Sequence, residues 1–220
     1  MDLATIDHLL LTTHSVRKRL DLSRPVAPEI IERCIEIATH APTGGNRQGW
    51  HFFVLTDAHK REQVADYYRR SWYDYNARRF GDLQGRVDEQ ARQTTRVRDS
   101  AQYLADHLHE VPLIIFPCIE GRVENAGVAA QAGLYGSILP AAWSLMLALR
   151  TRGLGAAWTT LHLVYEKEVT AILGIPDNVT QAAMLPVAYF TGSDFKASPR
   201  LPAQERTHWN TWGARRGEGS

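Results

Sequence analysis

Cysteine is scarce in this 220-residue sequence, which contains only Cys34 and Cys118. Neither lies in a Cys-x-x-Cys pair or at metal-ligand spacing from a histidine, so the sequence offers no disulfide framework and no metal site. We expect both thiols to be reduced and buried. The N-terminus also lacks the basic region and the long apolar stretch of a signal peptide, which predicts a cytoplasmic protein.

An excess of one charge is missing as well. Lys and Arg number 25 and Asp and Glu number 24, so the formal net charge is +1. No overall field therefore attracts nucleic acid or anionic lipid. Residues 69–98 hold eight arginines among aromatic side chains, a composition that single-strand binders share. Four acids in the same stretch and the neutral chain favour the prediction that no nucleic acid binds.

The motifs of hydrolytic enzymes are absent. The sequence has no Gly-Lys-Ser/Thr phosphate loop, no Gly-x-Ser-x-Gly elbow and no His-Glu-x-x-His zinc motif. The run Gly-Leu-Gly at 153–155 begins like a dinucleotide fingerprint, but its third glycine is missing and it follows a helix. We interpret it as a helix stop, with Gly153 just beyond the last turn.

One long uncharged stretch covers residues 126–149, 24 residues in a row. This exceeds the roughly 20 residues that span a bilayer, so a transmembrane helix is one interpretation. Gln131 and Pro140 within it, and the lack of a second such stretch, favour a buried helix instead. Small residues recur at every fourth position, which lets another backbone approach: Ala129, Gly133, Ser137 and Ala141. We therefore predict that this helix lies at the centre of a homodimer.

Hydrophobic periodicity predicts an irregular alternation of helices and strands. Besides the long helix, the predicted helices cover 3–14, 28–41, 58–72, 96–109 and 165–173, and the predicted strands cover 50–56, 111–119, 154–163 and 182–192. No repeat or domain boundary interrupts them. The sequence thus predicts one α+β domain over residues 1–220 with a C-terminal extension from about 196.

The segment 71–95 is too polar for a core and contains two isolated glycines. We expect a flexible excursion or a lid there. Its aromatic side chains are candidates for selecting a small-molecule substrate: Trp72, Tyr73, Tyr75 and Phe80.

Three short stretches carry the chemistry of a ligand site. His-Ala-Pro-Thr-Gly-Gly-Asn at 40–46 combines free backbone with polar groups, although the same residues also form ordinary turns. Thr-His-Ser-Val-Arg-Lys-Arg at 13–19 joins a hydroxyl to several cations, which suits a phosphate or, equally, a solvated helix end. Lys-Ala-Ser-Pro-Arg at 196–200 adds further cations near the C-terminus.

Together with Gly-Leu-Gly-x-x-Trp-Thr-Thr-Leu-His-Leu at 153–163 and Ala-Ile-Leu-Gly-Ile-Pro-Asp at 171–177, these stretches resemble the nitroreductase family of FMN-dependent oxidoreductases. The resemblance covers residues 15–212 and is similar to actinobacterial members. It implies a nitroreductase-like α+β fold, with a central, mostly antiparallel sheet flanked by helices, in an intertwined homodimer with one FMN at each subunit interface.

The resemblance also implies roles for individual residues. His14, Ser15 and Arg17 match the positions that hold the ribityl phosphate, helped by Arg200. Four residues match those that reach the flavin from the other subunit: Pro42, Thr43, Gly44 and Asn46. The segment at 158–161 matches the run beside the isoalloxazine ring, where backbone N–H groups face the flavin: Trp158, Thr159, Thr160 and Leu161.

Two positions depart from the family pattern. Thr13 stands where the family often has an arginine, so the phosphate depends more on the remaining cations. Gly49 replaces the proline of the usual Gln-Pro-Trp, which loosens the turn before the strand.

The activity that the resemblance implies is hydride transfer from NADPH or NADH, through the flavin, to a nitroaromatic or quinone acceptor in a ping-pong cycle. Because the cofactor carries the electrons, no catalytic triad is needed. A protein of the same fold that stores flavin without turning it over is the alternative.

Overall fold

The computed structural model describes residues 2–80 and 89–217, apart from the side chains of residues 79, 80 and 89–92. The chain divides into two compact units, Thr13–Ser193 and a second unit that joins Met1–Thr12 to Asp194–Ser220. The second unit contains helix α1 (Leu3–Thr12) and a short helical turn, Ala203–Arg206. His8 Nε2 lies 2.7 Å from Asp194 Oδ2 and connects its two segments. The single domain with a C-terminal extension stays a prediction.

The larger unit alternates helices with strands. Its helices are α2 (Pro28–Ala38), α3 (Ala58–Phe80), α4 (Glu89–His107), α5 (Val128–Arg150) and α6 (Glu166–Leu173). Its strands are β1 (Trp50–Leu55), β2 (Leu113–Glu120), β3 (Leu154–Ala156), β4 (Val179–Gln181) and β5 (Leu185–Tyr189).

The strands form one sheet in the order β1-β2-β5-β3, with β4 also paired to β2. Every strand pairing among the described residues is antiparallel. β2 is the central strand. β1 pairs with one edge of it, from Trp50↔Ile119 to Leu55↔Ile114, and β4 and β5 pair with the other edge. The predicted α+β class, with an antiparallel sheet flanked by helices, is confirmed.

The core lies on both faces of this sheet, because alternate residues of a strand point to opposite sides. Ile115 of β2 belongs to a cluster with α2 and α5 that contains Cys34 and Leu145. On the other face, the ring of Phe116 lies 5.6 Å from that of His162. Cys34 and Cys118 are both free and buried, as predicted.

Helix α5 is the one helix among the described residues that is long and apolar enough to cross a membrane, and 44% of its most apolar stretch is buried inside the protein. Its second half enters the core at Ile138, Leu145 and Leu149, which are fully buried. Its first half is exposed, with Val128 at 84%. Gly153 follows the helix with φ +75°, as a residue beyond a helix end commonly does.

Two predictions of secondary structure are wrong. The irregular excursion over 71–95 is helical at 71–80 and 89–95, and only 81–88 lie outside the described residues. Helix α3 buries a face with the three- and four-residue spacing of a helix, while most of its other residues are polar. The buried residues of this face are Val64, Ala65, Tyr68, Ser71 and Trp72. The predicted strand 154–163 ends at Ala156. The pairing becomes irregular there, because the Trp158 N–H bonds to Ser15 Oγ at 3.0 Å and only Thr159 pairs again, with Met184.

Gly155 has a packing role that the helix-stop interpretation of its motif missed. A Cβ built on Gly155 would lie 2.9 Å from Val16 Cβ, closer than real Cβ contacts allow. The absent side chain lets residues 13–20 lie directly against β3, where the Val16 N–H bonds to the Ala156 carbonyl at 2.9 Å.

Replacing Gly155 with alanine is therefore expected to destabilise the protein by about 1–3 kcal/mol, the usual cost of overpacking. Thermal unfolding measures this. Gly49→Ala is the matched control, because its added Cβ would meet Glu120 Cβ at an ordinary 3.5 Å. Equal unfolding temperatures for the two variants would contradict the close approach.

Candidate functional site

The first cluster of predicted site residues forms where residues 13–20 cross the end of β3. Ser15 Oγ accepts the Trp158 N–H, so the hydroxyl-bearing stretch and the stretch after β3 are joined directly. His14 is half-buried, and its Nδ1 lies 3.3 Å from the Ser15 carbonyl oxygen. The structure thus brings together two stretches that are more than a hundred positions apart in the sequence.

Arg17 supplies the positive charge of this cluster. Its guanidinium forms no ion pair with a carboxylate in the described part of the chain, and burial lowers its pKa from the usual value. The guanidinium keeps its charge all the same, because an arginine side chain is not deprotonated in proteins. A partly desolvated cation without an acidic partner is costly unless an anion neutralises it. The position therefore fits a phosphate or another oxyanion.

The segment 158–161 is held by its own hydrogen bonds. The N–H and carbonyl of Thr159 bond to Met184 at 3.1 and 2.8 Å, and the Leu161 N–H reaches Thr159 Oγ1 at 3.4 Å. With the Trp158 N–H on Ser15, three of the four N–H groups are used within the chain. The N–H of Thr160, an exposed residue, has no partner among the described residues. Of the four backbone N–H groups that the sequence proposed as donors to the ring, the Thr160 N–H is therefore the remaining candidate.

The second cluster is the turn at 42–46, which docks on α5. The Gly44 N–H donates to Ser137 Oγ at 3.0 Å, and Thr43 Oγ1 accepts the Gln48 N–H at 3.2 Å. Pro42 and Asn46 are both exposed, and Asn46 Oδ1 accepts a bond from the Gln48 side chain. The sequence predicted that this turn presents its backbone and amide to a ligand.

The conformational need for glycine falls on Gly45, whose φ is +60°. Gly44 lacks a positive φ, and an added Cβ would meet Ser137 Oγ at an ordinary 3.6 Å. Among the described residues, no contact therefore requires a bare backbone at Gly44. The absent side chain leaves the outer surface of the turn open.

A cavity of about 820 Å³ opens beside the second cluster. Thr43 and Gly44 line it, together with Gly133 and Ser137 of α5 and the charged side chains of Glu120 and Arg122. No residue of the first cluster is among its described lining residues. One chain therefore carries two separate clusters, a cationic one around Arg17 and one with exposed backbone around Gly44. We call these clusters the two half-sites.

The predicted lid residues are placed differently from expectation. Trp72 is only 3% exposed, and its Nε1–H donates to Gln102 Oε1 at 2.6 Å, so it anchors α3 to α4. The prediction that Trp72 is a mobile lid residue is therefore wrong. Tyr73 and Tyr75 remain accessible, and the Tyr73 hydroxyl bonds to Asp106 at 3.2 Å. The side chain of Phe80 lies outside the described residues.

Arg200 belongs to the second unit, where it is exposed and donates to the Pro199 carbonyl at 3.0 Å. Its help with a phosphate stays a prediction.

Sequence reasoning missed three residues of the larger unit that shape the half-sites: Tyr68, Ser137 and Gly155. The apolar residues spaced four apart around Tyr68 could have indicated that it is buried. Ser137 and Gly155, in contrast, contact residues that are distant in the sequence. Among the described residues, no group of three or more His, Cys, Asp or Glu side chains is placed to hold a metal ion.

An all-antiparallel sheet with α2 and α5 on one face defines the fold, and solved structures share it. Oxidised iodotyrosine deiodinase, in complex with FMN and 3-iodo-L-tyrosine, superimposes with a TM-score of 0.69 at 21% identity, covering 93% of this chain and 98% of that one. A variant of an FMN- and NADPH-dependent nitroreductase from Sphigopyxis sp. strain HMH gives a TM-score of 0.63 at 22% identity, covering 94% and 99%.

Sequence comparison gives the family. The nitroreductase family model matches residues 10–189, and the chain belongs to the nitroreductase family. Iodotyrosine deiodinase of Daphnia pulex is 28% identical over 183 residues, which cover 80% of this chain but only 58% of that longer protein. The 5,6-dimethylbenzimidazole synthase of Rhodospirillum rubrum (strain ATCC 11170) is 27% identical over 193 residues, covering 85% and 81%.

Proposed function

We propose that the protein is a cytoplasmic, FMN-dependent oxidoreductase that takes hydride from NADPH or NADH and reduces nitroaromatic or quinone-type acceptors. The observation that carries this proposal is the pair of half-sites: among the described residues, Arg17 has no acidic partner and no contact requires the bare backbone at Gly44. Their chemistry suits the two ends of FMN, its phosphate and its flat ring. The FMN-bound members of the fold support the same cofactor. The similarity to actinobacterial members stays a prediction.

Different residues would bind different parts of FMN. Ser15 and Arg17 would hold the phosphate, with His14 beside them, because a hydroxyl and a guanidinium are strong oxyanion donors. The Thr160 N–H would donate to the edge of the ring. From a second subunit, the turn at 42–46 would bring backbone against the flat face. Once bound, FMN supplies the two-electron chemistry that passes hydride from donor to acceptor in a ping-pong cycle.

Electron transfer is tested by the flavin absorption of the FMN-loaded protein under anaerobic conditions. We expect NADPH or NADH to bleach the bands and a nitroaromatic or quinone to restore them. Bands that persist with both donors would favour the alternative, a flavin-storage protein of the same fold. The names of the relatives include a deiodinase and a synthase, so iodotyrosine belongs among the acceptors to be tried.

The homodimer is supported by the exposed apolar first half of α5. Val128 and Tyr135 there are 84% and 37% exposed, and Trp143 in the second half is 38% exposed. Exposed apolar surface of this kind marks protein–protein contact. A partner at this surface would also reach the cavity beside Gly44, which α5 lines through Gly133 and Ser137.

Sharing of the site between subunits is tested by mixing two defective chains. Arg17→Gln removes one half-site and Gly44→Val obstructs the other, so each homodimer should bind FMN poorly. A heterodimer of the two chains combines the intact Arg17 of one with the intact Gly44 of the other. We expect tag-purified heterodimers to bind one FMN with wild-type affinity. No recovery of binding would show that both half-sites come from one chain.

A further inference from the structure

Tyr68 connects helix α3 to the first half-site. The residue is only 2% exposed, and its hydroxyl lies 3.5 Å from Thr159 Oγ1. Thr159 Oγ1 donates this bond to the Tyr68 oxygen and accepts the Leu161 N–H, while the Thr159 N–H and carbonyl both bond to Met184. The Thr159 side chain therefore connects α3 to the segment that carries the Thr160 N–H, which has no partner among the described residues.

Burial keeps the Tyr68 phenol neutral, and its oxygen accepts the hydrogen bond from the Thr159 hydroxyl. Burial raises the pKa of the phenol, and the nearby Arg17 guanidinium lowers it only in part. The phenol therefore stays neutral at physiological pH and keeps its proton. The only side-chain hydrogen bond of Tyr68 among the described residues is the long one to Thr159. A buried polar group with so little compensation is costly, and a phenylalanine would fill the same space without that cost.

We propose that Tyr68 is a positioning residue of the flavin site, which sets the place of the Thr160 N–H through the Thr159 hydroxyl. This inference rests on the proposed function. It explains why a hydroxyl stands at a core position where only the ring is needed for packing. The neighbouring Tyr67 packs its ring 5.1 Å from that of Tyr165 and serves as the matched control.

The experiment compares Tyr68→Phe, Tyr67→Phe and wild-type protein. We measure FMN dissociation constants by fluorescence quenching, and the midpoint potential and absorption maximum of the bound flavin. Tyr68→Phe is expected to weaken FMN binding about threefold to tenfold, the effect of one neutral hydrogen bond, and to shift the potential. Tyr67→Phe should change neither. Unfolding of the apoproteins shows whether the packing is preserved.

A second pair of variants tests the route through Thr159. Thr159→Val should weaken binding as Tyr68→Phe does, Thr159→Ser should retain wild-type binding, and the double variant Tyr68→Phe/Thr159→Val should show less than the summed effect. Additive effects, or a Tyr68→Phe protein with unchanged affinity and potential, would overturn the inference. Wild-type protein that fails to bind FMN would overturn the proposed function itself, a result distinct from any difference between variants.

Discussion

Replacing Arg17 with glutamine is expected to weaken FMN binding by about 10- to 100-fold, the worth of a charge-assisted hydrogen bond to phosphate. The apoprotein should lose no stability and gain some, because the variant removes a partly buried cation that has no acidic partner in the described part of the chain. Binding and stability therefore change in opposite directions. Flavin titration and thermal unfolding of the same preparation measure both.

The control is Lys18→Gln, which removes the adjacent exposed cation. We expect that variant to bind FMN within about twofold of wild type, since exposed charges are screened by solvent. Equal losses of affinity in the two variants would mean that only the general positive field matters. A clear loss of apoprotein stability in Arg17→Gln would mean that the guanidinium serves the fold and not a ligand.

The second large effect concerns acid stability and His162. This side chain is fully buried against Phe116, and neither ring nitrogen has a hydrogen-bond partner among the described residues. Burial lowers its pKa to about 3 from the usual 6.5. The unfolded chain takes up a proton near pH 6.5, whereas the folded protein resists it until about pH 3. Folding stability is therefore lost as the pH falls through that window, by up to about 5 kcal/mol.

His162→Leu removes this proton uptake, so its free energy of unfolding should decline less steeply between pH 6.5 and pH 4 than that of wild type. Urea unfolding at several pH values measures the slopes. His59→Gln, at an exposed histidine early in α3, is the control for replacing a histidine at the surface. Parallel curves for wild type and His162→Leu would show that His162 is already charged or solvated in the folded state.

Much of the fold was predictable because local patterns decide it. The apolar face of α2 places Cys34 in the core, and the glycine at 153 ends α5, both by rules that act within a few residues. Helix α3 was only partly predictable, since its buried face includes the polar Ser71 and its other positions are mostly polar, as in a loop. Such a helix is stabilised by packing, here through Trp72 and Gln102, which a sequence pattern does not display.

The candidate site was predictable stretch by stretch but not as an arrangement. Hydroxyl, cation and glycine content identified 13–19 and 40–46 as chemically unusual. The bond from Trp158 to Ser15 and the contact of Gly44 with Ser137 join residues far apart in the sequence, and no spacing rule reveals them. The sequence also did not show which of the two adjacent glycines needs its conformational freedom, and the torsion angles assign that need to Gly45.

The most direct test of the account is native mass spectrometry of the protein reconstituted with FMN. Two half-sites on each chain, completed across a subunit interface, predict a dimer that carries two FMN molecules and loses flavin when it is dissociated. A monomer that retains FMN would contradict the shared site. A dimer that takes up no FMN would contradict the proposed cofactor.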